Sequence, residues 1–292
     1  MEKRIEKLLS RYRVEGGKFR LKDFDPADTG GLDLKKEEAS ALLKEGVDAL
    51  SAHQDMLYAQ DRWSVLCIFQ AMDAAGKDGA IKHVFSGVNP QGCHVVSFKA
   101  PTSTELDHDF LWRHSIALPS RGQIGIHNRS WYEEVLVARV HPTILEHQKL
   151  PPRLVGKKIW DQRLEDIAAY ERYLGRQGTV VLKFFLHVSP EEQKRRFLSR
   201  IEEPEKNWKF SAADVQERQH WDAYQDAYQQ AIRATATKEA PWYVVPADRK
   251  WFTRLVVVAA IGRAMEGLGL HYPVVSDAQR AALAQAREDL GP

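Results

Sequence analysis

The chain has 292 residues, with 42 Lys and Arg against 40 Asp and Glu, a formal charge of +2 and an isoelectric point near 8.4. That balance excludes a broad basic field for nucleic acid, and 43% apolar residues with eight Trp, nine Tyr and eleven Phe exclude a largely disordered chain. Cys67 and Cys93 form no C-x-x-C pair, the charged N-terminal segment has no secretory apolar core, and the longest apolar stretch, Leu255 to Gly262, is too short to span a bilayer. A cytoplasmic protein with neither a nucleic-acid nor a membrane partner is expected.

Residues 1–34 carry glycine pairs and scattered Asp, which predicts a short helix followed by an extended arm. From Lys35 to about Gln60, Leu42, Leu43, Val47, Leu50 and Leu57 recur at helical spacing. The run Ser64 to Phe69 is continuously apolar between helical patterns, as expected of a strand buried on both faces of a parallel sheet. The alternation then repeats: helix Gly79 to Gly87, strand Val95 to Phe98, helix Thr104 to Ile116, strand Gln123 to His127, helix Arg163 to Leu174, strand Thr179 to Leu186. Ser189-Pro190-Glu191-Glu192 announces another helix, with an N-cap, a proline at the first position and acids at the positive end. A helix from Ser211 to Ala234, a strand from Trp242 to Val245 and a core helix from Asp248 to Gly267 complete the pattern. The order predicts an α/β fold: a three-layer α/β/α parallel sheet in a single domain, residues 1–292, with a tail from 273 to 292 expected to be mobile and to carry a short helix, Gln279 to Leu290.

Chemistry enters directly after the first buried strand, in Ala71-Met72-Asp73-Ala74-Ala75-Gly76-Lys77-Asp78-Gly79. Gly76 and Lys77 match the phosphate-loop pattern G-x-x-x-x-G-K-[ST], whereas Ala71 replaces its first glycine and Asp78 its metal-binding hydroxyl. Small residues at 71, 74, 75, 76 and 79 allow backbone amides to surround a phosphate at a helix N-terminus, and Lys77 supplies a point charge. With the hydroxyl gone, Asp73 is the candidate oxygen ligand for magnesium. An ordinary βα turn with a solvated lysine fits the loop alone about equally well.

Asn128 and Arg129 close the third of these strands, where phosphate-loop kinases carry the polar residue that faces the metal, although taken alone a polar strand-end turn with a surface arginine fits them better. Lys194, Arg195, Arg196, Arg200, Lys206 and Lys209 then crowd a short stretch against Glu202, Glu203 and Glu205, with Trp208 and Phe210 among them. An arginine-rich helix and loop at 190–212 is where nucleoside monophosphate kinases place a lid over the transferring phosphates. A smaller cluster, Arg153, Lys157, Lys158 and Arg163, lies elsewhere, and two local cationic patches on a near-neutral chain point to a polyanion held in a groove.

The blocks QAMDAAGKDGAIKHV, GVNPQGCHVVSFKAPT, NRSWYEEVLVARV, LKFFLHVS, EEPEKNWKFS and APWYVVPADRKWF, in this order over roughly residues 15 to 270, resemble the family-2 polyphosphate kinases. The resemblance implies a phosphate-loop kinase fold with a helical lid, transfer of the terminal phosphate of inorganic polyphosphate to adenine or guanine nucleotides, Mg²⁺ or Mn²⁺ as cofactor, and a homo-oligomer, dimer or tetramer. It assigns Asp73 and Lys77 to the first phosphate-binding motif and Asn128 and Arg129 to the second, and matches Arg195, Arg196 and Arg200 to the lid cations, with Lys209 nearby. Glu133-Glu134 and the Lys77-Asp78-Gly79 loop are similar to the subgroup that accepts both AMP and ADP, while Ser130-Trp131-Tyr132 is closer to ADP-preferring members. The expected chemistry is in-line transfer to an already ionised acceptor oxygen, stabilised by metal, Lys77, Arg129 and the lid cations, with Glu133 near the acceptor phosphate through a second metal or water. Two rivals remain: an ATP-dependent nucleoside monophosphate kinase of thymidylate-kinase type, and a non-catalytic regulator that binds polyphosphate or nucleotide.

Overall fold

The computed structural model describes residues 2–291. Its elements are α1 (Glu2–Tyr12), β1 (Arg13–Val14), α2 (Lys36–Gln60), β2 (Ser64–Ala71), α3 (Lys77–Val84), β3 (Cys93–Ser97), α4 (Ser103–Leu106), α5 (Trp112–Ser115), β4 (Ile124–Asn128), α6 (Val137–Val140), α7 (Pro142–Glu146), α8 (Ile159–Arg176), β5 (Thr179–His187), α9 (Pro190–Glu202), α10 (Ala212–Gln216), α11 (Trp221–Thr235), β6 (Trp242–Pro246), α12 (Lys250–Glu266) and α13 (Asp277–Leu290). The strands form one sheet in the order β1-β6-β5-β2-β4-β3.

The apolar run of β2 is buried along all eight residues, because β5 and β4 flank it and helices cover both faces. Alternation along β5 separates the two helical layers. Lys183 and Phe185 reach Glu171 of α8 and Tyr228 of α11, while Phe184, on the other face, stacks between Phe69 and Tyr243. On the opposite layer α12 packs on α2 and α3. Parallel pairing puts the ends of β2, β3 and β4 side by side, and ligands of open α/β sheets bind at such ends.

Three expectations need correction. The sheet is mixed, because residues 13–14 of the N-terminal arm pair antiparallel with Tyr243 and Trp242 of β6. Two residues are too few to show a period in sequence. The helix expected over 104–116 is two short ones; the Asp109 carboxylate accepts the Leu111 amide (2.9 Å), and this local bond competes with helix continuation. The helix expected over 211–234 tightens into a 3₁₀ turn at Glu217–His220, which brings Glu217 to both His141 (2.8 Å) and Tyr224 (2.9 Å). Helix α13 buries none of its residues.

Beneath β3 and β4, His114 and His127 pack around Phe98 with no exposed surface. Burial first, then Arg113 and His127, push His114 from 6.5 down to about 2, and burial pushes His127 down to about 4. Both rings are thus neutral when folded, whereas the unfolded chain takes up a proton at each as pH falls through about 6.5. Their stabilising contribution is present above that pH and is lost as it falls toward the folded values. His114 makes no side-chain hydrogen bond, so His114→Leu sacrifices none. Urea unfolding of this variant between pH 6 and 4 should show a pH slope shallower than the parent's by about one proton.

Candidate active site

The segment 72–76 leaves the end of β2 and turns through two left-handed residues, Ala74 (φ 60°) and Gly76 (φ 105°), before α3 starts at Lys77. Gly76 is required there by its backbone angle, since a Cβ would meet only Arg196 Nη1 at 3.5 Å. A helix leaves its opening amides without intrahelical acceptors, and here the residues that open α3, Lys77, Asp78 and Gly79, line a cleft of about 730 Å³. Lys77 folds back so that its Nζ donates to the Ala71 carbonyl at 3.0 Å. Burial, and after it Arg129, lower the lysine's pKa, while Asp73, Glu133 and Asp78 oppose the shift.

Arg129 faces this loop from the end of β4. It is left-handed (φ 68°), and its amide donates to the Phe69 carbonyl at 3.0 Å, continuing the β2–β4 ladder beyond Asn128. Its guanidinium bridges Asp73 (3.2 Å) and Glu133 (3.1 Å), and Glu133 first, with Asp73, raises its pKa. Asn128 Nδ2 donates to Asp78 Oδ1 at 2.8 Å. Asp78, which replaces the usual loop hydroxyl, and the strand-end Asn128 are therefore partners of one another.

Electrostatics set this cleft apart from the near-neutral chain. Lys77, Lys99, Arg129, Arg196, Arg200, Lys206, Lys209, Lys250 and Arg254 line it, against only Asp73 and Asp78, and Phe98 is the single aromatic residue among the lining side chains. Lys250 is held below its ordinary value by partial loss of hydration, then by Arg196 and Lys206. Like charges crowded this way are relieved by a bound polyanion.

Of the residues singled out in sequence, Asp73 to Gly79, Asn128, Arg129, Arg196, Arg200 and Lys209 come together here. Glu133 stands behind Arg129 and is not part of the cleft wall. Arg195 does not reach the cleft. Its side chain is 71% exposed, bonds Glu192, and borders a shallow depression with Ala27, Asp248 and Arg249. Helix periodicity explains this, because neighbours on α9 point about 100° apart and Arg196 takes the inward face. The second basic cluster also stays outside, and Arg163 is buried with its Nη1 on the Glu134 carbonyl at 3.0 Å. Sequence reading passed over Lys99, Lys250 and Arg254. Lys99 follows the end of β3, and Lys250 and Arg254 lie four apart on α12, a spacing that was the available signal.

Residues 33–269 match the family model described as Polyphosphate kinase 2. The chain belongs to this family. It is 50% identical over 286 residues to an ADP-polyphosphate phosphotransferase of Rhodopseudomonas palustris, covering 95% of this chain and 99% of the relative. It is 44% identical over 269 residues to an AMP/ADP-polyphosphate phosphotransferase of Meiothermus ruber, covering 91% and 96%. The crystal structure of polyphosphate kinase 2 from Arthrobacter aurescens TC1 superposes with a TM-score of 0.85 at 38% identity, covering 94% of this chain and 95% of that one. As a member the chain is a phosphotransferase with the phosphate-loop kinase-like fold, and enzymes of this family generally use a divalent metal.

The donor set suits such an ion. Asp73 and Asp78 are hard oxygen donors on a wall otherwise rich in cations, and among the described residues no group of three or more His, Cys, Asp or Glu is arranged to hold a metal. An ion bound mainly by water and phosphate oxygens, with one or two carboxylates, fits that composition.

Lys77 is the one cation contributed by the loop itself. Lys77→Ala should lower kcat on the order of a hundredfold or more, while the melting temperature stays within a few degrees of the parent. Near-normal turnover would reduce Lys77 to a bystander.

Proposed function

We propose that the protein transfers the terminal phosphate of inorganic polyphosphate to ADP and to AMP, with Mg²⁺ or Mn²⁺ as the divalent ion. The observation that carries the reading is the composition of the cleft: nine cationic side chains, two carboxylates and a single aromatic ring surround a phosphate loop. A donor of linked phosphates without a base needs cations along its length and no stacking platform. The relatives' names agree with both donor and acceptors. Trp131, the residue closer to ADP-preferring members, is fully buried with its Nε1 on Glu171, so it cannot itself touch an acceptor. That leaves AMP open alongside ADP.

Chemistry then follows from position and charge. The acceptor's phosphate oxygen is already ionised at neutral pH, so no strong general base is needed. Lys77, Arg129 and the loop amides hold the transferring phosphate and offset the charge that builds on its oxygens. Arg200 and Lys209, with Lys99, Lys206, Lys250 and Arg254, hold the rest of the donor. A divalent ion, when bound, would be held by Asp73 with Asp78 beside it and would add charge neutralisation between phosphates. The free thiols Cys67 and Cys93 agree with a cytoplasmic setting.

The deciding assay supplies polyphosphate or ATP as donor, AMP or ADP as acceptor, and separates the nucleotides. Product from polyphosphate supports the proposal. Product only from ATP indicates a conventional nucleotide kinase, and binding without product indicates a regulator. In the same assay the donor KM should rise steeply with salt, since each phosphate–cation contact releases counterions. Arg200→Ala should raise the donor KM and reduce the log–log salt slope by about one, with little change in acceptor KM. A flat salt dependence would remove the cations from the donor site.

Asp73→Asn should raise the metal concentration needed for half-maximal activity well above the parent's, and Asp78→Ala should raise it less. Titrations of activity with Mg²⁺ and Mn²⁺ check this; the reverse ranking would make Asp78 the principal ligand.

A further inference from the structure

Phosphate binding by a loop requires its amides to face the ligand and its carbonyls to be engaged elsewhere, because a carbonyl oxygen repels a phosphate oxygen. From Ala71 to Gly76 every carbonyl has a donor. Lys77 Nζ takes Ala71, the Ala75 amide takes Met72 (3.2 Å), and the Ala80 amide takes Gly76 (2.9 Å). The remaining three are taken from α9: Gln193 Nε2 donates to Asp73 (2.9 Å), and Arg196 Nη1 donates to Ala74 (3.1 Å) and Ala75 (2.5 Å).

Arg196 is fully occupied by this work. Its Nε donates to Glu192 (2.7 Å), and Nη2 to the carbonyls of Ala247 (2.5 Å) and Asp248 (3.5 Å) just beyond β6. A guanidinium has five N–H donors, and all five have acceptors within the protein. Glu192 balances its charge, and its side chain is only 8% exposed. Gln193 is likewise fixed: its Oε1 accepts from Arg218 Nη1 at 2.9 Å, which also donates to the Pro190 carbonyl.

We propose that Arg196 and Gln193 are positioning residues that set the shape of the phosphate loop, and that Arg196 is not a ligand of the donor although it borders the cleft. The inference rests on the cleft being the site of phosphate transfer. A lysine could not replace Arg196, since one ammonium cannot span the loop, Glu192 and the end of β6 together.

The test measures kcat, donor KM and its salt slope for Arg196→Lys, Arg196→Gln and Gln193→Met, with thermal melting to choose an assay temperature at which each is folded. The expected result is a fall in kcat on the order of tenfold to a hundredfold in all three, Lys no better than Gln, with the parent's salt slope retained. Near-parental activity in Arg196→Lys together with a slope shallower by about one in Arg196→Gln would make Arg196 a phosphate ligand and overturn the proposal. Parental kcat in all three would leave only a structural role and overturn it equally. If the Arg196 variants do not fold, Gln193→Met decides alone: reduced kcat at an unchanged slope supports the proposal, and parental kcat sinks it. A parent inactive with polyphosphate would instead remove the functional reading itself.

Discussion

A buried ion pair organises the half of the molecule opposite the phosphate loop. Lys183, at the centre of β5, and Glu171, on α8, are bonded to each other with essentially no exposed surface. Burial pushes the carboxyl up and the ammonium down, and each charge is the main force opposing the shift of the other. Neither is left with a single partner. Glu171 accepts from Tyr132 Oη (2.7 Å) and Trp131 Nε1 (3.2 Å), and Lys183 donates to the Thr235 carbonyl (2.8 Å), whose side chain receives Trp242 Nε1 (2.9 Å). Helices α8 and α11, strands β5 and β6, and the turn after β4 are thus tied at one point. Removing one member of such a pair costs about 3–5 kcal/mol, because the other charge is left stranded. The turn held in this way carries Asn128, Arg129 and Glu133 on its sequence neighbours, so a pair that touches no substrate determines where half the site stands.

The opposite half is governed by charge rather than burial. A chain with a formal charge of +2 achieves a strongly cationic cleft only by sending its acids elsewhere. Glu192 sits under Arg195 and Arg196, Glu203 binds Lys206, and Asp214 accepts from Arg200 at 3.4 Å. Glu203 and Asp214 hold Lys206 and Arg200 from behind and leave the cleft wall to the positive ends, whereas Glu192 balances Arg196 beneath the loop. Asp214 itself has a raised pKa, from burial first and then Asp73, as expected where a carboxylate is drawn toward another. Long-range attraction of a polyanion is modest for such a molecule; what the cleft offers is dense local contact.

Much of the architecture was legible because the periods are plain. The apolar runs Ser64–Phe69 and Thr179–Leu186 read as parallel strands and lie within β2 (Ser64–Ala71) and β5 (Thr179–His187), and the glycine and lysine after β2 marked the loop. Asp73, Lys77 and Arg129 could be placed in one site because strand ends in a parallel sheet share an edge. Arg195 could not be separated from Arg196 without the helix register, and a difference of one residue decided which points inward. Lys99 and the pair Lys250 and Arg254 come from two distant stretches of sequence with no common motif around them and meet only through the sheet order. Trp131 and Tyr132 were legible as a family signature, but their physical task, bonding Glu171, lies forty residues away and has no local trace.

Two non-glycine residues of the cleft, Ala74 and Arg129, hold left-handed backbone angles, at a cost of about 1–2 kcal/mol each. Such angles persist only where the surroundings over-determine them. For Ala74 the restraint is its own carbonyl, held by Arg196 from α9. For Arg129 it is the hydrogen bond from its amide to the Phe69 carbonyl on one side and, on the other, Ser130, whose Oγ accepts from Gln70 Nε2 (3.2 Å) and the Tyr132 amide (3.3 Å). The two restraints come from different elements, α9 for one and the sheet with its buried ion pair for the other. Both converge on the Asp73–Arg129 contact at 3.2 Å, which closes the gap between the two halves of the site. The fold therefore fixes the surroundings of the proposed phosphate site before any ligand arrives, and the small strain at 74 and 129 fits such pre-organisation.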